Sequence, residues 1–367
     1  MTKKHTIGRR RLLGGFAAAL GLAAAAPAAP AIASGKKRLK MVTSWPKNFP
    51  GLGTVPENLA KRIRTMSDGQ IDIRVFAAGE LVGALESFDA VSTGTADMYH
   101  SGDYYWQGKS PAFNFFTTVP FGMTTIEYNA WIRYGGGQEL WDELSGKFGV
   151  KPFLTGNTGI QMGGWYNKEI ETLDDFKGLK IRMPGLGGEV LRRLGAAAVT
   201  LPGGEIFPAM KSGAIDASEW VGPWNDLAFG FHQLGKYYYM PGFQEPAAGL
   251  ALGVNREVWN SFNEREQAIF RAACDAENDR ATSEYHYQNA IAFETLVKRH
   301  KVQIRRFSPE IMRALKETSD AVIKELAARD PFTRKVMDSF TASLTRSMAW
   351  EAHAEEAYTQ IRRAVAS

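Results

Sequence analysis

The chain has 367 residues, 44% of them hydrophobic and 23% charged, an ordinary globular composition with room for two domains. Its formal charge of +5 comes from the first 33 residues, which hold Lys3, Lys4, Arg9, Arg10 and Arg11 and no acid; past them, 39 of the 44 basic residues remain against 39 acids. That balance excludes the basic surface that nucleic-acid binding needs, and Cys274, the only cysteine, excludes an intrachain disulfide or a cysteine-cluster metal site.

Residues 1–33 read as an export signal. Arg9-Arg10-Arg11 precede an apolar run over 12–26, and Ala31-Ile32-Ala33 supplies small residues for cleavage. The arginines followed by Leu12-Leu13 match a twin-arginine signal. The run is too short and too rich in alanine for a membrane span, so a cleaved leader and a periplasmic location are expected.

Beyond it, elements alternate. Strands are expected over 39–44, 71–76 and 96–100, with helices over 56–66 and 85–91 between them, the signature of an α/β domain. Seven aromatics crowd residues 101–122. Most read as core, while Tyr104 and Tyr105 keep hydroxyls suited to a polar ligand. A helical stretch over 127–145 is split by Gly135-Gly136-Gly137. Strands over 151–155, 161–166, 179–183, 199–201 and 215–221, with a helix over 205–211, predict a second domain of similar build. A strand over 247–254 follows. Residues 263–300 have few breakers, and Asn263 with Glu266 forms a capping box. At about 1.5 Å per residue that helix is on the order of 55 Å long and should cross both domains. Cys274 falls on its apolar face as a small core residue. A strand over 302–307 and helices over 309–328 and 333–366 complete the chain. The expected organisation is domain I from 36–158 plus 248–290, domain II from 159–247 plus 291–345, and a helical tail over 346–367.

The stretch over 178–196 carries the first functional hint. Leu179, Ile181 and Met183 alternate with Lys180 and Arg182, and Pro184-Gly185 and Gly187-Gly188 then open onto a helix. Ligands of open α/β sheets bind at the carboxyl ends of strands, where Arg182 presents a planar fork that fits a carboxylate. The glycine spacing misses the dinucleotide fingerprint. No G-x-S-x-G elbow, H-E-x-x-H, EF-hand loop or P-loop occurs, and the histidines lack ligand spacing. Glu219 and Trp220 end the strand over 215–221. Asn157 and Gln161 lie where the second domain begins, and Gln244 precedes the strand over 247–254.

These residues resemble the solute-binding proteins of tripartite ATP-independent periplasmic (TRAP) transporters. The resemblance spans nearly the whole mature chain. It is most specific over 165–220, in the segments DFKGLKIR, LGA and AMKSGAIDASEW. SWPKNFPG, YYWQGKSP and SEW are similar to the branch that binds 2-oxo and 2-hydroxy monocarboxylates such as pyruvate and lactate. The resemblance implies a two-domain periplasmic binding protein of α/β class, with an interdomain cleft, crossing hinge strands and a long spine helix. It implies no enzymatic activity and delivery of the ligand to TRAP membrane subunits. Arg182 matches the arginine that pairs with the ligand carboxylate. Gln161, Glu219 and Trp220, the last through its carbonyl, match positions that hold a cation beside the ligand. Asn157, Tyr104 and Gln244 match the pocket lining. Some members of this branch form homodimers by exchanging a C-terminal helix.

A 2-oxo or 2-hydroxy acid offers two neighbouring oxygens, a chelate for a hard cation. Arg182, Glu219, a monocarboxylate and a monovalent ion sum to zero, which favours sodium, with calcium the alternative. Other expectations compatible with the residues are a periplasmic hydrolase or lyase on an α/β scaffold, and a carboxylate sensor.

Overall fold

A computed structural model describes residues 35–366; the expected export signal lies outside them. Among the described residues eleven strands form: β1 (Lys37–Thr43), β2 (Ile71–Phe76), β3 (Met98–Ser101), β4 (Val150–Asn157), β5 (Gly164–Tyr166), β6 (Lys180–Arg182), β7 (Ala197–Val199), β8 (Ala217–Ser218), β9 (Tyr237–Tyr239), β10 (Gly249–Asn255) and β11 (Gln303–Arg305). They make two sheets, ordered β2-β1-β3-β10-β4 and β11-β9-β5-β8-β6-β7. In the first, β1 pairs in parallel with β2 and β3, and β10 runs antiparallel to both β3 and β4. The chain passes between sheets from β4 to β5 and returns from β9 to β10. β10 thus joins the first sheet, and β11 the second, only after the chain has passed through the other sheet, which is the expected crossing arrangement.

The helix Glu264–Lys298 is the spine. Asn263 Oδ1 accepts from Glu266 N–H (2.9 Å), and Glu266 Oε2 accepts from Asn263 N–H (2.9 Å). Together they satisfy two backbone donors that a helix start leaves unpaired. Its first half buries Ile269, Phe270, Ala273 and Cys274 against Met41, Leu59, Ile63 and Leu252 of the first lobe. Its second half places Tyr285 and Leu296 with Trp165, Ile206 and Trp220 of the second. Both cores therefore depend on one rigid element. Truncating the fully buried Phe270 to alanine would cost about 3–5 kcal/mol in lost transfer energy and cavity formation.

Several elements differ from the sequence expectation. The strand over 161–166 shortens to Gly164–Tyr166. Gln161, Met162 and Gly163 instead give their amide hydrogens to the carbonyls of Glu245 (3.0 Å), Val221 (3.0 Å) and Tyr239 (2.8 Å), which come from separate segments. The strand over 215–221 shortens to Ala217–Ser218. Its far end bends into the helix Pro223–Phe229, whose Asp226 Oδ1 accepts from Val221 N–H (3.3 Å). The helix expected over 333–366 is two helices, Pro331–Glu351 and Glu355–Val365. Triple glycine at 135–137 does split two helices, with Gly136 at φ +86°.

The helix Pro331–Glu351 packs Phe340 on Trp131 (5.2 Å between ring centroids) and Phe115 (5.5 Å). The helix Glu355–Val365 buries none of its residues and leaves Tyr358, Ile361 and Val365 exposed. Among the described residues no helix is long and apolar enough to cross a membrane.

Candidate functional site

Arg182 ends β6, which is flanked by β8 and β7, both parallel to it. The next turn requires glycine. Gly185 has φ +61°, and a Cβ there would stand 2.8 Å from the Tyr104 ring. A Cβ on Gly187 would stand 2.7 Å from Gln244 Cβ. The glycines let the helix Gly185–Arg193 begin against residues from two other segments, so they serve close packing of the site.

The Arg182 side chain is fully buried. Its Nη1 donates to Glu219 Oε2 (2.8 Å) and to the Glu219 carbonyl (2.9 Å). Its Nε donates to the Leu201 carbonyl (3.2 Å), and Nη2 to the Tyr105 hydroxyl (3.3 Å). The guanidinium also lies 5.1 Å from the Trp220 ring centroid, a cation–π distance. Tyr105 comes from the first lobe, while Arg182, Glu219 and Trp220 come from the second, so the interaction bridges the cleft.

Trp220 is enclosed by aromatics from both sides: Trp45 (6.4 Å), Phe49 (6.3 Å) and Phe229 (5.4 Å). Trp45 Nε1 donates to His100 Nδ1 (2.8 Å), and burial depresses His100 to about 3, so its ring is a neutral acceptor. Behind the site two buried aspartates hold aromatic frames. Asp103 accepts from Tyr99 (2.8 Å), Trp141 (2.7 Å) and Trp106 (3.3 Å). Asp226 accepts from Trp165 (3.0 Å) and Tyr238 (2.6 Å). Burial lifts their carboxyls to about 7 and about 6 against the pull of those donors.

Burial raises the carboxyls of Glu219 and Glu245, the latter to about 8. Glu245 adds to the rise at Glu219, and Arg182 pulls both down. Burial alone would weaken Arg182's hold on its proton. Tyr105, Glu219, Tyr104 and Glu245 more than offset that, and it stays charged.

Four buried oxygens here have no hydrogen-bond partner among the described residues: Gln161 Oε1, Glu219 Oε1, Gln244 Oε1 and Glu245 Oε2. An unsatisfied buried polar atom costs about 1–3 kcal/mol, so such a group calls for a ligand that accepts their lone pairs. A hard cation does this, and two of the four belong to residues expected to bind one. The set Gln161, Glu219 and the Trp220 carbonyl is all oxygen, with a single carboxylate. Among the described residues no group of three or more His, Cys, Asp or Glu side chains suited to a metal occurs.

Tyr104, Tyr105, Gln161 and Trp220 line one small cavity together with Trp45 and Thr158. Its volume is about 20 Å³, roughly one water, so admitting an organic acid requires the lobes to part. Arg182, Glu219, Gln244 and Asn157 do not line this cavity; Arg182 and Glu219 meet it through Tyr105, whose hydroxyl accepts from Arg182 Nη2. Gln244 Nε2 donates to the Met162 carbonyl (2.9 Å). Asn157 Oδ1 accepts from Gly159 N–H (3.0 Å) and Thr125 Oγ1 (3.3 Å), leaving Nδ2 unpartnered. Trp45, Thr158 and Glu245 were not among the sequence candidates. The aromatic loop over 45–51 was the one available signal for Trp45.

Two α/β lobes with crossing strands and a buried arginine between them define a ligand-binding protein of the periplasmic type. The chain belongs to the bacterial extracellular solute-binding protein family 7, whose model matches residues 41–330. It is 41% identical over 323 residues to the monocarboxylate 2-oxoacid-binding periplasmic protein of Nostoc sp., covering 88% of each chain. It resembles the solved TRAP periplasmic solute-binding protein of Pseudoalteromonas atlantica, which holds sodium and pyruvate (41% identity, TM-score 0.86, 89% of this chain and 99% of that one). It also resembles a TRAP solute-binding protein of Bordetella bronchiseptica, a mixed-occupancy dimer with calcium and picolinate at its active site (36% identity, TM-score 0.88, 91% and 100%).

Proposed function

We propose that this protein is a periplasmic receptor that binds a small 2-oxo or 2-hydroxy carboxylate, pyruvate or lactate in kind, together with a cation, and presents it to TRAP membrane subunits. The observation that carries this reading is the buried pair Arg182–Glu219 beside the unpartnered oxygens of Gln161 and Glu219. Arg182 grips the ligand carboxylate. Gln161, Glu219 and the Trp220 carbonyl would hold the cation, which would supply positive charge and hard-acid affinity for the ligand's oxygens. Tyr104, Asn157 and Gln244 complete the lining. Contacts from both lobes favour the closed state, so binding drives hinge closure. No chemical step is involved.

The leader over residues 1–33 is removed on export by the twin-arginine route. The mature lobes are 36–158 with 248–290, and 159–247 with 291–345. The helix Glu355–Val365, which buries none of its own residues and exposes Tyr358, Ile361 and Val365, is the basis of a homodimer.

A thermal-shift screen over mono- and dicarboxylates, with sodium, calcium or chelator, tests the reading. Pyruvate or a related acid should raise the melting temperature in a cation-dependent way and be recovered unchanged. Chemical turnover of the acid, or no response to any 2-oxo or 2-hydroxy acid, contradicts it.

A further inference from the structure

The segment over 45–53 belongs to the first lobe by its chain and to the second by its packing. It follows β1 and enters the helix Thr54–Met66, whose Leu59 and Ile63 lie in the first core. Yet Trp45, Phe49 and Leu52 are buried in the other core, with Trp165, Ile206 and Trp220. Phe49 lies on Phe229, with 4.3 Å between ring centroids. The segment is a strap laid across the cleft, and Trp45 and Leu52, near its two ends, line the small cavity.

One polar side chain holds the middle of the strap. Asn225 is fully buried in the helix Pro223–Phe229. Its Nδ2 donates to the Pro50 carbonyl (2.8 Å), and its Oδ1 accepts from the Tyr285 hydroxyl (3.0 Å). Tyr285 stands on the spine helix. The short helix is tied to the same spine by Trp224 N–H, which donates to Asn289 Oδ1 (3.0 Å). Asn225 thus rests on a fixed support, and Tyr285, by occupying Oδ1, turns Nδ2 toward the strap. The fit has no slack: Gly51 has φ +67°, and a Cβ there would collide with the Tyr285 ring. Asn225 does not line the cavity, so it acts on a ligand only through Trp45 and Leu52.

We propose that Asn225 is a positioning residue for ligand retention: it latches the strap in the closed state and so sets the rate at which the bound acid leaves. Parting the lobes breaks the Asn225–Pro50 bond, and the open state does not make it. A contact present only in the closed state slows release and leaves encounter with the open cleft unchanged. The inference rests on the reading that the lobes close around a small acid.

The test is stopped-flow mixing of pyruvate with the full-length mature protein in calcium chloride, followed by tryptophan fluorescence, to which Trp45 and Trp220 contribute. Losing a buried hydrogen bond and leaving its partner unpaired corresponds to about tenfold. Asn225→Ala should therefore raise the dissociation rate constant about tenfold, with the association rate constant within threefold of wild type. Tyr285→Phe, which frees Asn225 to turn, should raise dissociation threefold or more. A rise below threefold in Asn225→Ala overturns the proposal. So does an affinity loss carried by association alone, or a lower melting temperature with unchanged dissociation, the mark of a merely structural role. If circular dichroism shows that Asn225→Ala does not fold, Tyr285→Phe decides: a threefold rise supports the latch and a smaller one overturns it. A wild type that binds no 2-oxo acid contradicts the receptor reading and the latch with it, an outcome distinct from a dissociation rate insensitive to Asn225.

Discussion

Arg182 Nη1 binds Glu219 twice, at Oε2 (2.8 Å) and at the backbone carbonyl (2.9 Å), and leaves Glu219 Oε1 without a partner. Both side chains are fully buried. A buried ion pair is seldom a net source of stability, so its retention points to use. The arginine is positioned by the pair, and the free oxygen is left for another charge.

Arg182→Lys keeps the charge and loses the planar fork. Two charge-assisted hydrogen bonds to a ligand carboxylate are worth about 3 kcal/mol or more together, so affinity should fall roughly 100-fold or further. Calorimetry with pyruvate measures this, and circular dichroism checks that the variant is folded.

Glu219→Gln removes the carboxylate from both Arg182 and the cation. Leaving the guanidinium without its counter-ion should destabilise the ligand-free protein by about 3 kcal/mol, seen as a lower denaturant midpoint. Ligand affinity should also lose most of its response to added metal. An unchanged metal response would remove Glu219 from the cation site.

Gly187→Ala places a methyl 2.7 Å from Gln244 Cβ and 2.9 Å from Met183 Sδ. Overpacking of this kind costs about 1–3 kcal/mol. Displacing Gln244 should weaken ligand binding about tenfold. Gly204, with nothing near its would-be Cβ, supplies the control: Gly204→Ala should leave affinity unchanged.

His100 supplies a pH signature. Folding holds it neutral down to about pH 3, whereas its ordinary value is 6.5. Below pH 6.5 the unfolded chain binds a proton that the folded chain does not. Stability from this group is therefore complete above about 6.5 and is lost as pH falls toward 3, up to roughly 4 kcal/mol. Asp103 and Asp226, raised by burial, act in the opposite sense over part of this range, so the measurement is a difference. His100→Gln, which keeps an acceptor for Trp45 Nε1, should flatten the fall in stability between pH 6.5 and 4 relative to wild type.

Truncation after Ala352 removes the helix Glu355–Val365, none of whose residues is buried within its own chain. Light scattering should show the full-length mature protein as a dimer and the truncated form as a folded monomer. A monomeric full-length protein would contradict the proposed helix exchange.

The sequence shows the spine, the parallel strands and Arg182 at its strand end because periodicity and capping are local. Asn263 and Glu266 form their capping box as the spacing implies. Three features leave no local trace in the sequence. Residues 161–163 alternate like a strand, yet their amides go to Glu245, Val221 and Tyr239. The tail breaks at 352–354, where Ala352-His353-Ala354 contains no helix breaker. Glu245 enters the site through a chain segment that carries no motif of its own, and its carbonyl meets Gln161 N–H from a segment more than eighty residues earlier.

The central claim is that Arg182 anchors a 2-oxo acid whose binding needs a cation on Glu219. Calorimetric titration of pyruvate into metal-stripped protein, before and after calcium is restored, tests it most directly, with Arg182→Lys run alongside. The expected result is micromolar or tighter binding to wild type only with the cation, and at least 100-fold weaker binding to Arg182→Lys. Equal pyruvate affinity with and without the cation, or an Arg182→Lys variant that binds as wild type does, would contradict it.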